Sequence, residues 1–169
     1  IGSGSTLIST YIGSSNVTTG TIADGQWHHY AVSFISSTDT TINLYRDGTY
    51  LNTTTVSATN IGDIKNVSSG VNAYIGALQT NPSGSGGRPF SGKLSASLDE
   101  FRYWKKQRTT NEIGEFWFTN LGGGTNNREY NTDLGVYFKF NEGITTDATI
   151  DNSILDYSGR ISNGTFVGY

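Results

Sequence analysis

The feature that most constrains the fold is an alternating segment that begins just after an Asp-Gly pair. Asp24-Gly25 precedes residues 28–34. Within that segment the larger side chains occupy every second position: His28, Tyr30, Val32 and Phe34. Alternation with a period of two is typical of a strand with one buried face, and Asp-Gly favours a turn. The pattern predicts a half-buried strand that begins after a turn.

A second Asp-Gly pair extends this strand into a larger unit. Asp47-Gly48 separates residues 41–45 from residues 50–56, and both flanking segments are rich in Thr, Tyr, Val and Leu. Such residues suit pleated strands, and Asp-Gly between two strands is a strong hairpin signal. The chain therefore predicts a β-meander, with Ile42 and Leu44 facing inward.

Three further elements follow. Residues 71–78 alternate like a strand, and residues 94–104 alternate with a change of phase at Asp99-Glu100, which suggests a β-bulge. Thr109 and Glu112 have the spacing of a capping box, so a short helix is expected near residues 110–118. Its buried side would carry Ile113, Phe116 and Trp117.

Composition excludes several functional classes. The 169 residues carry a net charge of −3, whereas a nucleic-acid-binding surface needs a basic stripe. No run of 18 apolar residues exists, so no membrane-spanning helix is expected. Cysteine is absent, which removes disulfides and thiol catalysis. The start at Ile1 is not that of a signal peptide, so we expect a mature product or a piece of a longer chain.

Residues 24–117 resemble the back half of a laminin G-like domain of the concanavalin A-like lectin/glucanase superfamily. The resemblance rests on motifs in a fixed order: Trp27-His28-His29, Tyr45-Arg46-Asp47-Gly48, Asp99-Glu100-Phe101-Arg102 and the Thr-capped helix. It implies an all-β fold, an antiparallel jelly-roll β-sandwich with one short helix. It also implies an extracellular or cell-surface location.

Residues 133–169 resemble the opening of the same kind of domain. In this chain the front-half motifs of the domain therefore come after its back-half motifs. The motifs are residues 136–143, Asp156-Tyr157-Ser158-Gly159 and Asn163-Gly164-Thr165. We therefore expect residues 1–120 to be the back portion of a sandwich and residues 121–132 to be a Gly/Asn-rich linker. Residues 133–169 would complete this sandwich, a neighbouring subunit or the next repeat.

Three arrangements are consistent with this inverted order. The chain is a piece of a tandem array that holds the back of one repeat and the front of the next, a circularly permuted sandwich, or a subunit that exchanges strands with a neighbour. The array and strand exchange are favoured, because an incomplete sandwich would leave open strand edges. The expected partners are therefore neighbouring repeats or other copies of the chain, and glycans are a further expectation.

Catalysis is not expected. Retaining glycosidases need two carboxylates about 5 Å apart, and adjacent residues such as Asp99 and Glu100 point to opposite faces of a regular strand. The other candidates, Glu112, Glu115 and Glu142, are scattered. His28 and His29 also face opposite ways, so they cannot easily share a metal; we expect core packing beside Trp27.

Calcium is the one cofactor that the resemblance suggests. It points to Asp99 and Asp156, with Asn163 as a weaker ligand, and oxygen ligands on loops suit this ion. The alternative is that Asp99 bonds backbone amides at a bulge and that Asp156 makes an Asx-turn.

Ligand contact and glycosylation have separate candidates. Tyr50, beside the Asp47-Gly48 turn, is the best exposed aromatic platform for a sugar, and Arg88 lies on a Gly-rich loop that could touch a partner. The glycosylation sequons begin at Asn16, Asn52, Asn66 and Asn163. The sequence as a whole favours a non-catalytic module for adhesion or self-assembly of a large surface or filament protein. A carbohydrate-binding module is the alternative, and a glucanase is disfavoured.

Overall fold

The computed structural model describes residues 24–57, 73–78, 92–94, 96–121, 132–143 and 152–166. The chain divides into two compact units. The first comprises residues 1–95 and 109–118, and the second comprises residues 96–108 and 119–169.

The first unit contains the meander that the sequence predicts. Strands β1 (Tyr30–Ser36), β2 (Thr40–Arg46) and β3 (Thr49–Val56) form an antiparallel sheet in that order. Leu44 and Tyr45 on the middle strand are buried, and Ile42 is half-buried. The inward orientation predicted for Leu44 is therefore confirmed.

Strand β1 is more open than its alternation predicts. Tyr30, Val32 and Phe34 remain 38%, 41% and 54% exposed, while the neighbouring Ser33 is buried. Among the described strands β1 pairs only with β2, so it lies at the edge of the three-stranded sheet. The apolar residues of an edge strand have fewer neighbours than those of a central strand, and the prediction of a half-buried face is wrong for these three.

The predicted hairpin turn at Asp47-Gly48 is confirmed. Both residues have positive φ, 49° and 75°, which gives the two-residue loop of a type I′ turn between Arg46 and Thr49. A bulge follows in the ladder, because Tyr45 pairs with Tyr50 whereas Leu44 pairs with Asn52. The two-residue turn sets Tyr50 directly across from Tyr45, and the bulge sets Thr53 across from Asn43.

Helix α1 (Thr110–Phe116) begins with the predicted capping box. Thr109 Oγ1 accepts the Glu112 amide at 3.2 Å, and a Glu112 carboxylate oxygen accepts the Thr109 amide at 2.7 Å. Ile113 is buried and Trp117 is half-buried, but Phe116 is 42% exposed. The prediction that Phe116 lies on the buried side is therefore wrong.

The strands predicted around residues 71–78 and 94–98 are much shorter than expected. The described part forms only β4 (Ala77–Leu78) paired with β5 (Gly92–Lys93). Leu94 and Leu98 are 50% and 43% exposed and lie outside any described strand. Glu100 has a φ of 54°, so the phase change marks a left-handed residue before the next strand rather than a bulge within one.

The described part of the second unit contains two antiparallel pairs of strands. Strand β6 (Phe101–Trp104) pairs with β7 (Leu134–Phe138), and β8 (Ser153–Ile154) pairs with β9 (Gly164–Thr165). A single bridge links Phe138 to Asp156. The core consists of buried Leu121, Leu134 and Tyr137, with Trp104 packed against them.

The all-β class with one short helix is confirmed, since the described chain holds nine strands and one seven-residue helix. These strands form small sheets of two or three, so the jelly-roll sandwich stays a prediction. No helix in the described ranges is long and apolar enough to cross a membrane.

Gly48 offers a direct test of the hairpin packing. A Cβ at Gly48 would overlap the Trp117 ring, and the residue also has positive φ. Gly48→Ala should therefore lower the free energy of unfolding by about 2–4 kcal/mol, the sum of left-handed strain and overpacking. The measurement is urea denaturation.

Gly25→Ala is the matched control. Gly25 has nearly the same φ, 76°, but a Cβ there meets no atom within 4 Å. Gly25→Ala should lower the free energy of unfolding only by the backbone strain, about 1–2 kcal/mol. Equal losses in the two variants would show that packing of Trp117 on the turn contributes nothing.

Candidate functional site

One face of the three-stranded sheet carries a row of hydrogen-bonded polar side chains. Ser33, Asn43 and Thr53 are direct cross-strand neighbours in the register, so they lie side by side on one face. Asn43 Nδ2 donates to Ser33 Oγ at 3.3 Å, and Thr53 Oγ1 donates to Asn43 Oδ1. Tyr50 OH donates to Thr53 Oγ1 at 2.7 Å and extends the row. We call Ser33, Asn43, Thr53 and Tyr50 the polar row.

Tyr50 is the aromatic member of the polar row and the residue that the sequence singles out as a sugar platform. The residue is 46% exposed. Its ring meets the buried Tyr45 ring edge-on, with centroids 5.7 Å apart and planes at 69°. Tyr50 is thus held at both its ring and its hydroxyl while nearly half of it remains open to solvent.

The other members of the polar row are not identifiable from sequence alone. Asn43 and Thr53 are ten residues apart, and only the β2–β3 register makes them neighbours. The one sequence signal is the polar Asn43 between the apolar Ile42 and Leu44 of a strand.

A second cluster surrounds His28, whose ring lies between two carboxylates. His28 Nδ1 is 2.7 Å from Asp47 Oδ2, and Nε2 is 2.8 Å from Asp24 Oδ2. The hydrogen bonds to Asp24 and Asp47 raise the pKa of His28 above its usual 6.5. The pKa of Asp24 is lowered by the amide of Gln26 and by His28.

Asp47 also binds the backbone of the neighbouring strand. Its Oδ1 accepts the His29 amide at 2.9 Å, and its own amide donates to the His29 carbonyl at 2.9 Å. Burial opposes ionisation of Asp47, but the bonds from His29 and His28 outweigh it and hold the pKa of the carboxyl below 3.8.

The two histidines have separate partners, as their adjacent strand positions predict. The His29 ring lies 6.1 Å from the Trp117 ring, between centroids, whereas His28 bonds the two aspartates. Trp27 is 70% exposed, so the expectation of core packing beside it is wrong for His28. Both His28 nitrogens bond carboxylates, and the described residues contain no group of three His, Asp or Glu side chains that could hold a metal.

A third cluster is organised by Asp156 in the second unit. Its Oδ1 accepts the amides of Tyr137 at 3.0 Å and Ser158 at 2.9 Å. Its Oδ2 accepts the Ser158 hydroxyl at 2.8 Å and the Ser162 amide at 3.0 Å. Asn163 Oδ1 accepts the Asp156 amide at 2.9 Å. Burial opposes ionisation, but the four donors outweigh it and lower the pKa of Asp156.

This geometry does not fit a calcium ligand set. Four protein donors use the lone pairs of the Asp156 carboxylate, so a cation would have to displace them. Asp156 and Asn163 are brought together, but by a bond from the side chain of one to the backbone of the other. Asp99 is exposed and its Oδ1 accepts the Glu100 amide. Calcium binding by Asp99, Asp156 and Asn163 stays a prediction from the resemblance.

Glu100 is fixed by a buried tyrosine and an arginine. One of its carboxylate oxygens accepts the Tyr137 hydroxyl at 2.5 Å and an Arg102 nitrogen at 2.8 Å. Burial and the neighbouring Glu100 charge raise the pKa of Tyr137. The same Arg102 nitrogen donates to the Thr119 carbonyl at 2.6 Å. The cluster thus joins β6 to the segment that follows α1.

The remaining predicted site residues divide by position. Asn52 is half-buried on β3, and its Oδ1 accepts the Thr53 amide at 2.7 Å. Asn163 is exposed. Asn16, Asn66 and Arg88 lie outside the described residues.

Asp156→Ala should destabilise the protein by about 2–4 kcal/mol, because it leaves three amides and a hydroxyl without their acceptor. The folded-state pKa is depressed, so this stabilisation is present above pH 3.8 and disappears as the pH falls through the folded-state value. Urea denaturation at several pH values measures both effects. Asp99→Ala is the control and should cost about 0.5 kcal/mol. Equal losses would contradict the role assigned to Asp156.

Calcium is tested by melting temperature. A site at Asp99, Asp156 and Asn163 requires that calcium raise the melting temperature and that EDTA reverse the change. The same experiment on Asp99→Asn shows whether that carboxylate takes part. No response in the wild-type protein would remove the site.

Comparison with known proteins identifies the family. A laminin G family model, described as the concanavalin A-like lectin/glucanases superfamily, matches residues 2–114, more than half of the 169 residues. No curated protein and no solved structure matches the chain. The matched span contains the polar row and the His28 cluster, and residues 133–169 lie outside it, so their resemblance to a domain opening stays a prediction. The chain belongs to the concanavalin A-like lectin/glucanase superfamily, through a laminin G-like domain.

Proposed function

We propose that this domain is a non-catalytic binding module, working outside the cell or at its surface, which holds a neutral saccharide on the polar row. The observation that carries the proposal is a rigid, exposed Tyr50 ring beside a line of hydroxyl and amide groups. Of the two functions that the sequence favours, the described geometry supports carbohydrate binding further than self-assembly. A sugar-binding adhesion module combines both ideas.

The chemistry of the polar row matches that of a sugar. The C–H face of a pyranose packs on an aromatic ring, and its hydroxyl groups both donate and accept hydrogen bonds. Asn43 retains one N–H and one carbonyl lone pair beyond the bonds it makes within the row, and Thr53 retains a lone pair. The row offers a ligand both donors and acceptors.

The polar row contains no charged side chain, which favours an uncharged ligand. Its members are Ser, Asn, Thr and Tyr, and the adjacent pair Thr41 and Thr55 adds two more hydroxyl groups, 3.4 Å apart. A binding site without carboxylates lacks the charged oxygen ligands on which calcium affinity depends most. Saccharide binding here should therefore be insensitive to EDTA.

The absence of catalysis remains part of the proposal. Glu100 is engaged by Tyr137 and Arg102, and Asp156 by four donors, so these carboxylates are held as structural groups. A general acid needs a carboxyl whose pKa is raised, whereas that of Asp156 is lowered.

Self-assembly is the second candidate, and the open face of β1 favours it. Tyr30, Val32 and Phe34 alternate along an edge strand and are 38–54% exposed. Exposed apolar residues on a strand edge are a common site of pairing between chains. Sedimentation equilibrium tests this: mass that rises with concentration supports assembly, and a monomer at high concentration contradicts it.

A glycan array, with and without EDTA, tests saccharide binding. Binding should be retained in EDTA, and Tyr50→Ala should weaken it by at least about tenfold, or about 1.4 kcal/mol. The saccharide affinity of Tyr50→Phe should lie between that of the wild-type protein and that of Tyr50→Ala, because the variant keeps the ring and loses the hydroxyl. An array without hits would contradict the proposal.

Tyr103→Ala is the matched control for Tyr50→Ala. Tyr103 is equally exposed, at 46%, but belongs to the second unit. Its loss should leave saccharide affinity unchanged. An equal loss of affinity in both variants would show that general destabilisation, and not the polar row, explains the effect.

A further inference from the structure

His28 occupies an unusual position, because both of its ring nitrogens bond carboxylates from different parts of the chain. Asp24 comes from the turn before β1, and Asp47 comes from the tip of the β2–β3 hairpin. A neutral imidazole has only one N–H, so it can donate to only one of the two carboxylates. Both bonds are satisfied together only when the ring is protonated.

The surroundings of the ring set its charge balance. The His28 side chain is 16% exposed, and the side chains of Asp24 and Asp47 are 34% and 31% exposed. Arg46 Nε lies 3.7 Å from Asp47 Oδ2, and the Tyr30 ring meets the imidazole edge-on at 6.2 Å between centroids. The imidazolium and Arg46 balance the two carboxylates, so loss of the proton leaves one negative charge in excess.

The two carboxylates are not held equally. Asp47 is fixed independently of the ring, through its Oδ1 bond to the His29 amide and the bond of its own amide to the His29 carbonyl. Asp24 has the Gln26 amide, two residues away, as its other partner. When the ring can donate only once, Asp47 is the better-placed acceptor and Asp24 is the one that separates.

We propose that His28 is a protonation-dependent clasp, which fastens the turn at Asp24 to the hairpin tip at Asp47 and releases that turn when the imidazolium loses its proton to solvent. The clasp is independent of the saccharide site on the polar row. It makes the conformation of residues 24–27 depend on pH within a range that biological compartments span.

The direction of the pH dependence follows from the three groups. The pKa of His28 is raised above 6.5 by its bonds to Asp24 and Asp47, so the clasp is fully closed below pH 6.5 and opens as the pH rises through the folded-state value. The pKa values of Asp24 and Asp47 are lowered from 3.8, so acid opens the clasp only below that value. The clasp is therefore closed between the lowered pKa values of Asp24 and Asp47 and the raised pKa of His28.

NMR titration from about pH 5 to about pH 9 tests the clasp, because the chain has only two histidines. His28→Gln assigns their ring resonances. In the wild-type protein His28 should titrate above 6.5, and Asp24→Asn should lower its midpoint. The backbone amides of Gln26 and Trp27 should shift with the His28 midpoint in the wild-type protein and lose that transition in Asp24→Asn.

Asp39→Asn is the control, since it removes the same charge from the turn between β1 and β2, away from His28. It should leave the His28 midpoint nearly unchanged. The proposal is overturned by a wild-type His28 midpoint at or below 6.5, by equal shifts in the two variants, or by Gln26 and Trp27 amides that ignore the His28 titration.

Discussion

The tip of the β2–β3 hairpin ties together the parts of the first unit that lie far apart in sequence. Asp47 uses its side chain and its amide to bind the strand entry at His28-His29, and Gly48 leaves room for the Trp117 ring that follows α1. Both residues adopt the positive φ that a type I′ turn requires. The same two positions therefore satisfy a backbone requirement, an electrostatic one and a steric one.

In the second unit a different aspartate, Asp156, also accepts hydrogen bonds from backbone amides that lie apart in the sequence. Asp156 gathers two amides and a hydroxyl from its own loop and the amide of Tyr137 from β7. In both units a carboxylate binds backbone amides and thereby stabilises a loop. This device suits a chain that is rich in Gly, Ser, Thr and Asn, because such a chain has little apolar surface to bury.

Local patterns predicted the features that depend on local chemistry. The hairpin at Asp47-Gly48 and the capping box at Thr109 each arise from residues at most three apart, so their spacing was sufficient. Burial is harder to predict from the sequence. Phe34 and Phe116 fit the periodicity of a buried face, yet both are exposed. Periodicity shows which residues share a face, but it does not show whether another part of the chain covers that face. The place of Tyr50 beside a turn identifies it from the sequence, whereas its partners Asn43 and Thr53 depend on the register of the ladder. The sequence predicts core packing for His28, because it does not show that Asp24 and Asp47 meet at one ring.

The bulge between β2 and β3 determines on which face of the sheet the β3 side chains before it lie relative to those after it. Thr53 and Thr55 share one face, and strict alternation would assign Tyr50 to the other; one extra residue in the strand lets Tyr50 reach Thr53 instead. The parity of β3, more than the identity of any side chain, thus decides whether an aromatic ring joins the polar row. In related chains, insertion or deletion of a single residue at this point gains or loses the aromatic contact in one evolutionary step, with every other residue of the sheet retained.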